Sequence, residues 1–225
     1  AEPAWMVLPA RDVWTQRKYR LGITLYEWLG VVDRADRHRN WNAADLAREE
    51  PLVDAARFPW ACAYREYLTD DARLVVTVLR AARAHGARVA SHVAVEGLLE
   101  ADGRTHGVRA RCALTASELT VRGRVVVNAA GPWAETLLPG AGSAPRLHLS
   151  KGVHLLVSRG RLPVRHLLML EHTDGRPVFV LPRGHVVWIG TTDTTHPGGA
   201  ERWPAVGAED VAYLLGAVNR VLPEA

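Results

Sequence analysis

The sequence predicts a protein that combines an α/β part with an α+β part. A strong helical pattern over 70–86 precedes a series of strand patterns, and the last of these ends in an apolar run at 125–127. A run that is apolar on both faces is typical of a strand buried in a parallel sheet. Four short β-patterned segments then follow at close spacing with no long helix between them, which predicts an antiparallel sheet. These segments are 146–158, 165–171, 176–182 and 185–191.

The composition excludes several classes of protein. Of the 225 residues, 48% are hydrophobic and 23% are charged, as in a soluble globular protein of one or two domains. The two cysteines, Cys62 and Cys112, are too few for a disulfide scaffold or a cysteine-rich zinc module. No apolar run approaches the ~18 residues of a transmembrane helix. The first residues lack the order of a signal peptide, so cytoplasm is the default compartment.

The basic residues are not clustered as in nucleic-acid-binding proteins. The formal net charge is only +4, and the basic residues are spread along the chain. We therefore expect no nucleic-acid partner. Among the 28 basic residues only Lys18 and Lys151 are lysines, so each lysine is worth closer inspection.

The first predicted helix covers 11–30, and its apolar side allows two interpretations. In the favoured one, this side packs against a domain, because surface helices that do so are common. In the other, a basic amphipathic helix makes a peripheral contact with anionic lipid, because cationic and aromatic residues lie together on it. The apolar side consists of Leu21, Leu25, Trp28 and Leu29, and the cationic and aromatic residues are Trp14, Arg17, Lys18, Tyr19 and Arg20.

Capping and turn signals predict the other elements. A polar loop at 33–40 precedes a short helix at 43–50, which Asn40 or Asn42 caps. The strands after the helix at 70–86 include a hairpin turn at Asp102-Gly103, where the backbone needs a positive φ. The predicted strands are 88–100, 107–114 and 118–128. The last predicted helix is 206–221, and its apolar face consists of Val211, Leu214, Leu215 and Val218.

The segment VVVNAAGPW at 125–133 is the first candidate for a site. Small residues at the carboxyl end of a strand let a ligand approach the backbone, and ligands bind at that edge of open α/β sheets. Pro132 suits the first turn of a helix. An ordinary tight strand-to-helix turn explains the same residues equally well.

The segment LSKGVH at 149–154 is the second candidate. On a strand, the spacing of three puts Lys151 and His154 on opposite faces. They converge on one ligand only if Gly152 permits a bulge or a bend. From the residues alone, a structural histidine is the favoured interpretation.

The hydroxyl-rich segment IGTTDTT at 189–195 is the third candidate. Thr192 and Asp193 follow an apolar strand, either as a strand-end turn or as polar groups at the rim of a site. The 10 histidines show no metal-ligand spacing, so no metal site is predicted. The sequence also contains neither a G-x-S-x-G nucleophile motif nor a G-x-G-x-x-G dinucleotide motif.

In the order of its motifs, the chain resembles the FAD-dependent glycerol-3-phosphate dehydrogenases, within the D-amino-acid-oxidase-like flavoproteins. NAAGPW is typical of the wider superfamily, and the combination of SKGVH with IGTTD is typical of the glycerophosphate branch. The segments that carry the resemblance are PARDVWTQRKYRLGITLYEWL (9–29), YREYLTDDARL (64–74), HGARVASHVAVEGL (85–98), VVVNAAGPWAETLL (125–138), LSKGVHLLV (149–157) and VFVLPRGHVVWIGTTDT (178–194).

The resemblance implies FAD as the cofactor. Val93 matches a family valine at the adenosine end of FAD, and Ala129, Ala130, Gly131 and Trp133 match residues near the flavin. It also implies a layout in which 1–144 is the latter part of a Rossmann-like FAD-binding domain with a helical insertion. Residues 145–225 would then form part of a substrate domain built on an antiparallel sheet.

The resemblance further implies that sn-glycerol 3-phosphate is oxidised to dihydroxyacetone phosphate and that quinone receives the electrons. His154 matches a family residue near substrate and flavin, and it is the candidate for the base that takes the proton of the C2 hydroxyl or for a hydrogen bond that orients the substrate. Lys151, Thr192 and Asp193 are the candidate substrate-binding residues.

The resemblance covers only the middle of such an enzyme. Family members begin with a glycine-rich pyrophosphate-binding segment and continue into an arginine-containing segment that binds the phosphate. We therefore expect a fragment that is inactive on its own. The intact enzyme would lie in the cytoplasm or be peripheral to the inner face of the cell membrane. A related FAD-dependent oxidase of amines or hydroxy acids and a non-catalytic remnant are the alternatives, and the sequence leaves the oligomeric state open.

Overall fold

The computed structural model describes residues 2–138 and 147–223. The chain divides into two compact units. The first unit contains 1–70, 150–194 and 204–225, and the second contains 71–149 and 195–203. In chain order the elements are β1 (Glu2–Ala10), α1 (Val13–Leu29), β2 (Arg39–Asn42), α2 (Ala43–Glu49), β3 (Trp60–Leu68), α3 (Asp71–Ala84), β4 (Val93–Ala101), β5 (Arg104–Cys112), β6 (Glu118–Arg122), β7 (Ser150–Lys151), β8 (His154–Ser158), β9 (Leu167–Glu171), β10 (Pro177–Arg183), β11 (Val186–Gly190), β12 (Thr194–Thr195) and α4 (Ala208–Val221).

A seven-stranded sheet forms the centre of the first unit. Its strand order is β2-β3-β1-β9-β10-β11-β8. All neighbours are antiparallel except β1 and β9, which run parallel with Met6 opposite Leu167 and Val7 opposite Leu168. The antiparallel arrangement predicted for the later segments is therefore confirmed.

The two faces of this sheet have separate cores. Val178 and Val180 pack in the cluster that contains the buried side chains of α4, which include Leu214 and Val218. Phe179 and Leu181 point the other way and pack in the cluster that contains Ile23 of α1. This alternation is the two-residue period of a strand. Of the apolar face predicted for the last helix, Leu214 and Val218 are buried as expected, whereas Leu215 is 38% exposed.

Helix α1 is oriented opposite to the favoured prediction. Its buried residues are Gln16, Ile23 and Glu27, whereas Leu21 and Trp28 are 74% and 75% exposed. The prediction that the leucine and tryptophan side packs on the unit is wrong for the described residues. Periodicity reveals an apolar stripe but does not show which side of the helix meets the sheet.

Buried polar side chains hold α1 in this orientation. Nε2 of Gln16 donates hydrogen bonds to the carbonyl oxygens of Ala61, at 2.9 Å, and Trp41, at 3.3 Å. The Glu27 carboxylate accepts from the backbone N–H of His38 and lies 2.9 Å from Nδ1 of its ring. The inner face of α1 is therefore polar but well satisfied.

The second unit contains α3 and a three-stranded sheet in the order β4-β5-β6. The hairpin turn between β4 and β5 is confirmed, with φ of 50° at Asp102 and 69° at Gly103. The predicted strand 118–128 ends early, at Arg122. Val125 and Val127 are 77% and 82% exposed, so the predicted burial in a parallel sheet is wrong. A parallel strand needs a neighbour, and no described strand pairs with this segment.

The compact units differ from the predicted boundary at 144/145. Residues 1–70 belong with 150–194 because β1 pairs with β9. This pairing joins segments about 160 residues apart along the chain, a distance at which local sequence patterns carry no signal. Within residues 2–138 and 147–223, no helix has the length and apolar character needed to cross a membrane.

Candidate functional site

The second and third candidate segments lie side by side at one edge of the seven-stranded sheet. β8 is the edge strand, and its first residue, His154, pairs with Gly190 at the end of β11. Ile189 belongs to the core on the α4 side, so Gly190 and His154 face the opposite side. His154 is exposed there, and its ring lies edge-on to the indole of Trp188, with 5.8 Å between the ring centroids.

Two glycines allow the two segments to approach this closely. A Cβ on Gly190 would overlap the His154 ring, with Cγ only 2.8 Å away. A Cβ on Gly152 would lie 2.5 Å from the hydroxyl oxygen of Thr191. Both distances are far below van der Waals contact, so a larger residue at either position would have to displace the neighbouring side chain. The SKGVH and IGTT segments are therefore a single interlocked structure.

Thr192 links the SKGVH and IGTT segments through two hydrogen bonds with Val153. Its hydroxyl oxygen accepts the backbone N–H of Val153 at 3.0 Å, and its own N–H donates to the carbonyl of Val153 at 3.3 Å. The side chain is buried. Asp193 is exposed next to it, and its carbonyl oxygen accepts from Arg176 at 2.7 Å. The predicted substrate contacts of Thr192 and Asp193 stay predictions, and the hydroxyl of Thr192 is used within the fold.

Lys151 points away from His154 and towards α4. Its ammonium group donates to Asp210 at 2.6 Å and to the carbonyl of Ala205 at 2.9 Å. The Lys151 hydrogen bond, followed by one from the Gly207 N–H at 2.8 Å, lowers the pKa of Asp210. The structure thus separates Lys151 from His154, as the spacing of three predicts. A substrate contact of Lys151 stays a prediction.

In the second unit, the predicted flavin-side residues lie where the chain enters a 3₁₀-helix, Gly131–Leu137, whose first turn contains Pro132 as predicted. Gly131 has a φ of 56° and no atom within 4 Å of where a Cβ would lie. The Trp133 N–H donates to the carbonyl of Ala130 at 3.1 Å, and its side chain is 45% exposed. Ala129 lies in the same segment, and Val93 is the first residue of β4.

Sequence reasoning missed the residues that support both segments. The side chain of Asn128 closes the turn, since Nδ2 donates to the Ala134 carbonyl at 2.9 Å and Oδ1 accepts the Ala130 N–H at 3.2 Å. It is the one polar residue within VVVNAAGPW, which is the signal that could have identified it. Trp188 and Gly190 were missed because their role depends on cross-strand register.

Comparison with known proteins identifies the family. A family model described as FAD dependent oxidoreductase matches residues 10–225. The chain belongs to this family. The match covers nearly the whole chain and confirms the resemblance found in its motifs, including FAD as the cofactor of the family.

Several members of the family are similar to the chain over its full length. It is 34% identical over 235 residues to the alpha-glycerophosphate oxidase of Streptococcus pyogenes serotype M3, covering 100% of this chain and 38% of that protein. It is 33% identical over 226 residues to the aerobic glycerol-3-phosphate dehydrogenase of Bacillus subtilis strain 168, covering 99% and 40%. The chain thus spans about 40% of the length of such relatives.

Solved structures of the family confirm the predicted fold class. The glycerol-3-phosphate dehydrogenase from Bacillus halodurans, complexed with FAD, matches with a TM-score of 0.79 and 33% identity over 98% of this chain and 40% of that one. The glycine oxidase from Bacillus cereus matches with a TM-score of 0.66 at 18% identity, which shows a shared fold only.

The contact between Lys151 and Asp210 predicts a pH dependence of stability. Because folding lowers the pKa of Asp210 from its ordinary value of 3.8, its contribution is complete above that value and is lost as the pH falls through the lower, folded pKa. We expect Asp210→Asn to lower the free energy of unfolding at pH 7 and to lower it less as the pH falls below about 4. Denaturant unfolding between pH 2 and pH 7 measures this. The control is Asp33→Asn, since the Asp33 side chain caps nothing. A difference between wild type and Asp210→Asn that is constant over this range would contradict the prediction.

The close contact between Gly190 and His154 predicts that a methyl group added at position 190 disturbs both the His154 ring and the stability of the fold. Gly190→Ala should displace the His154 ring and cost about 1–3 kcal/mol of stability, as overpacking does. Ring NMR signals of His154 and denaturant unfolding measure the two effects. Gly160→Ala is the control, because a Cβ there would meet Ser158 at an ordinary 3.6 Å. Unchanged ring signals in Gly190→Ala would show that the two residues are not in contact.

Proposed function

We propose that this chain is part of a flavoenzyme that oxidises sn-glycerol 3-phosphate at C2 to dihydroxyacetone phosphate. One observation carries the proposal. The interlocked edge of β8 and β11 presents His154 on an open face, in a chain similar to proteins named for glycerophosphate oxidation. The substrate is part of the proposal because the chain spans about 40% of such relatives.

His154 suits the role of the base. Oxidation at C2 removes a hydride from carbon and a proton from the hydroxyl, and the C–O bond becomes a carbonyl. FAD, when bound, supplies the hydride acceptor. A neutral imidazole can accept a proton near neutral pH. The His154 ring packs against Gly190 and lies edge-on to Trp188, and these contacts favour one orientation of the ring before substrate binds.

The chemistry of residues 129–133 fits the apolar side of a flavin. Small side chains at Ala129 and Ala130 and the open space at Gly131 leave the backbone accessible. The partly exposed indole of Trp133 offers an aromatic surface. We infer that these residues would hold the flavin, with Asn128 keeping their turn closed. Val93 is the residue proposed for the adenosine end.

Helix α1 supports a peripheral contact with membrane lipid. Trp14, Lys18, Leu21, Leu25 and Trp28 follow one another at spacings of four and three, which places them along one stripe of the helix. The four apolar members are all more than half exposed. Tryptophan at both ends and a cation within the stripe suit the boundary between headgroups and acyl chains of an anionic membrane.

The membrane contact also bears on the electron acceptor. The relatives carry two kinds of name, oxidase and dehydrogenase. We propose quinone for this chain, because quinones dissolve in membranes and α1 would bring the enzyme to their surface. The proposed location is the cytoplasm, at the inner face of the cell membrane.

The proposed base predicts a large kinetic effect. In the flavin-loaded enzyme, His154→Ala should lower kcat/KM for sn-glycerol 3-phosphate about 10²–10⁴-fold, the usual range for acid–base catalysis. The acid limb of its pH profile should disappear at the same time. Dye reduction at several pH values measures both. His185→Ala, at an exposed turn, should match the wild type. If His154→Ala keeps its efficiency and its acid limb, another residue is the base.

The exposed stripe of α1 predicts binding to anionic vesicles. Leu21→Glu should weaken binding to phosphatidylglycerol vesicles about tenfold or more, because it removes a buried leucine and adds a repelled charge. Cosedimentation measures the bound fraction. Leu114→Glu is a matched control, since Leu114 is 75% exposed and lies outside α1. Equal binding by both variants, or none by the wild type, would exclude α1 as a lipid contact.

A further inference from the structure

A cavity of about 210 Å³ lies beyond the ends of β1 and β9 in the first unit. The first turn of α1 and the last turn of α4 border it. Eight polar side chains line it. They are Arg11, Asp12, Thr15, Tyr19, Glu171, His172, Thr173 and Arg220.

The two arginines of the cavity form no ion pair within 4.0 Å in the part of the chain that the structure describes, although the Glu171 carboxylate attracts Arg220. Nε of Arg220 is buried and has no hydrogen-bond partner among the described residues. The Arg11 guanidinium lies over the ring of Phe58, 5.3 Å from its centroid, and no ion pair within 4.0 Å involves it in the described part of the chain. Burial, and then repulsion from Arg11, lowers the pKa of Arg220, while the attraction of the Glu171 carboxylate acts against this shift.

The acidic groups of the cavity are already engaged. The Asp12 carboxylate caps α1, accepting the N–H groups of Trp14 at 2.9 Å and Thr15 at 2.8 Å and the hydroxyl of Thr15 at 3.0 Å. Glu171 accepts the hydroxyl of Tyr19 at 3.1 Å. Burial, followed by the nearby Glu171 charge, raises the pKa of Tyr19 to about 12, so its hydroxyl remains a donor to Glu171 at neutral pH.

We propose that this cavity binds a phosphate group through the guanidinium groups of Arg11 and Arg220. Guanidinium presents several N–H donors in a fixed fork that matches phosphate oxygens, and both arginines line the cavity. The cavity volume admits a phosphate together with a small organic group.

This site is separate from the proposed reaction and does not depend on it. Glu171 is on β9 and His154 is on β8, with β10 and β11 between them. Three strand spacings amount to roughly 14 Å, which is further than a three-carbon phosphate ester spans. The phosphate bound here could belong to a soluble compound or to a lipid headgroup, since α1 begins at the cavity and carries the exposed stripe.

Titration with inorganic phosphate at constant ionic strength tests the site. Isothermal calorimetry on the 225-residue chain should detect binding, and Arg11→Gln and Arg220→Gln should each weaken it about tenfold. Arg159→Gln, an exposed arginine in a turn, should bind like the wild type. If Arg220→Gln fails to fold, Arg11→Gln decides the result. No binding by the wild type, or equal binding by all variants, would overturn the proposal.

A second measurement distinguishes the two sources of the phosphate. If a lipid headgroup occupies the site, Arg11→Gln should weaken binding to phosphatidylglycerol vesicles, and inorganic phosphate should compete with the vesicles. If the ligand is soluble, Arg11→Gln should bind vesicles like the wild type and still bind inorganic phosphate more weakly. Either result supports the phosphate site and assigns its source. Vesicle binding and phosphate binding that are both unchanged in Arg11→Gln would overturn it.

Discussion

The parallel pairing of β1 with β9 is the contact on which the first unit depends. It joins a three-stranded group, β2, β3 and β1, to a four-stranded group, β9, β10, β11 and β8. Without it, the α1 face and the α4 face would belong to different small sheets, each too small to bury a core on both sides. The pairing closes a very long loop, but closure entropy grows only with the logarithm of loop length. Burial of Val7, Leu168 and their neighbours offsets that entropy.

Features that depend on neighbouring residues could be predicted from the sequence, and features that depend on distant ones could not. The turn at Asp102 and Gly103, the Asn42 cap of α2 and the buried stripe of α4 each follow from a few adjacent side chains. The exposed run at 125–127 was predicted as buried because its pattern is that of a parallel strand. An apolar run is typical of a strand that is covered on both faces, but the run becomes buried only if neighbouring strands pair with it. No described strand pairs with residues 125–127.

The candidate site shows the same division. His154 was identified from a motif, but the reasons for its position are Gly190 and Trp188 on another strand. Thr192 was identified as a polar group at the end of a strand, and its hydroxyl turns out to bind the backbone of Val153. A hydroxyl-rich segment beside a site can therefore shape the site without facing it. Whether such a hydroxyl faces the site or bonds to a neighbouring segment is decided by the cross-strand register, which the local sequence does not show.

The orientation of α1 follows from a balance of two terms that are close in size. Turning the helix over would bury its leucines and tryptophans, each worth roughly 1.5–3 kcal/mol. It would also strip Gln16 from the carbonyls of Trp41 and Ala61 and break the pair of Glu27 with His38. The carbonyl oxygens of Trp41 and Ala61 and the N–H of His38 would stay inside without these partners, and each buried polar group left unpaired costs about 1–3 kcal/mol. The hydrogen bonds of Gln16 and Glu27 therefore oppose the burial of the apolar stripe. The apolar stripe of α1 therefore remains exposed to water. Its transfer from water to an apolar surface, such as the acyl chains of a membrane, would be favourable because the fold does not bury these side chains.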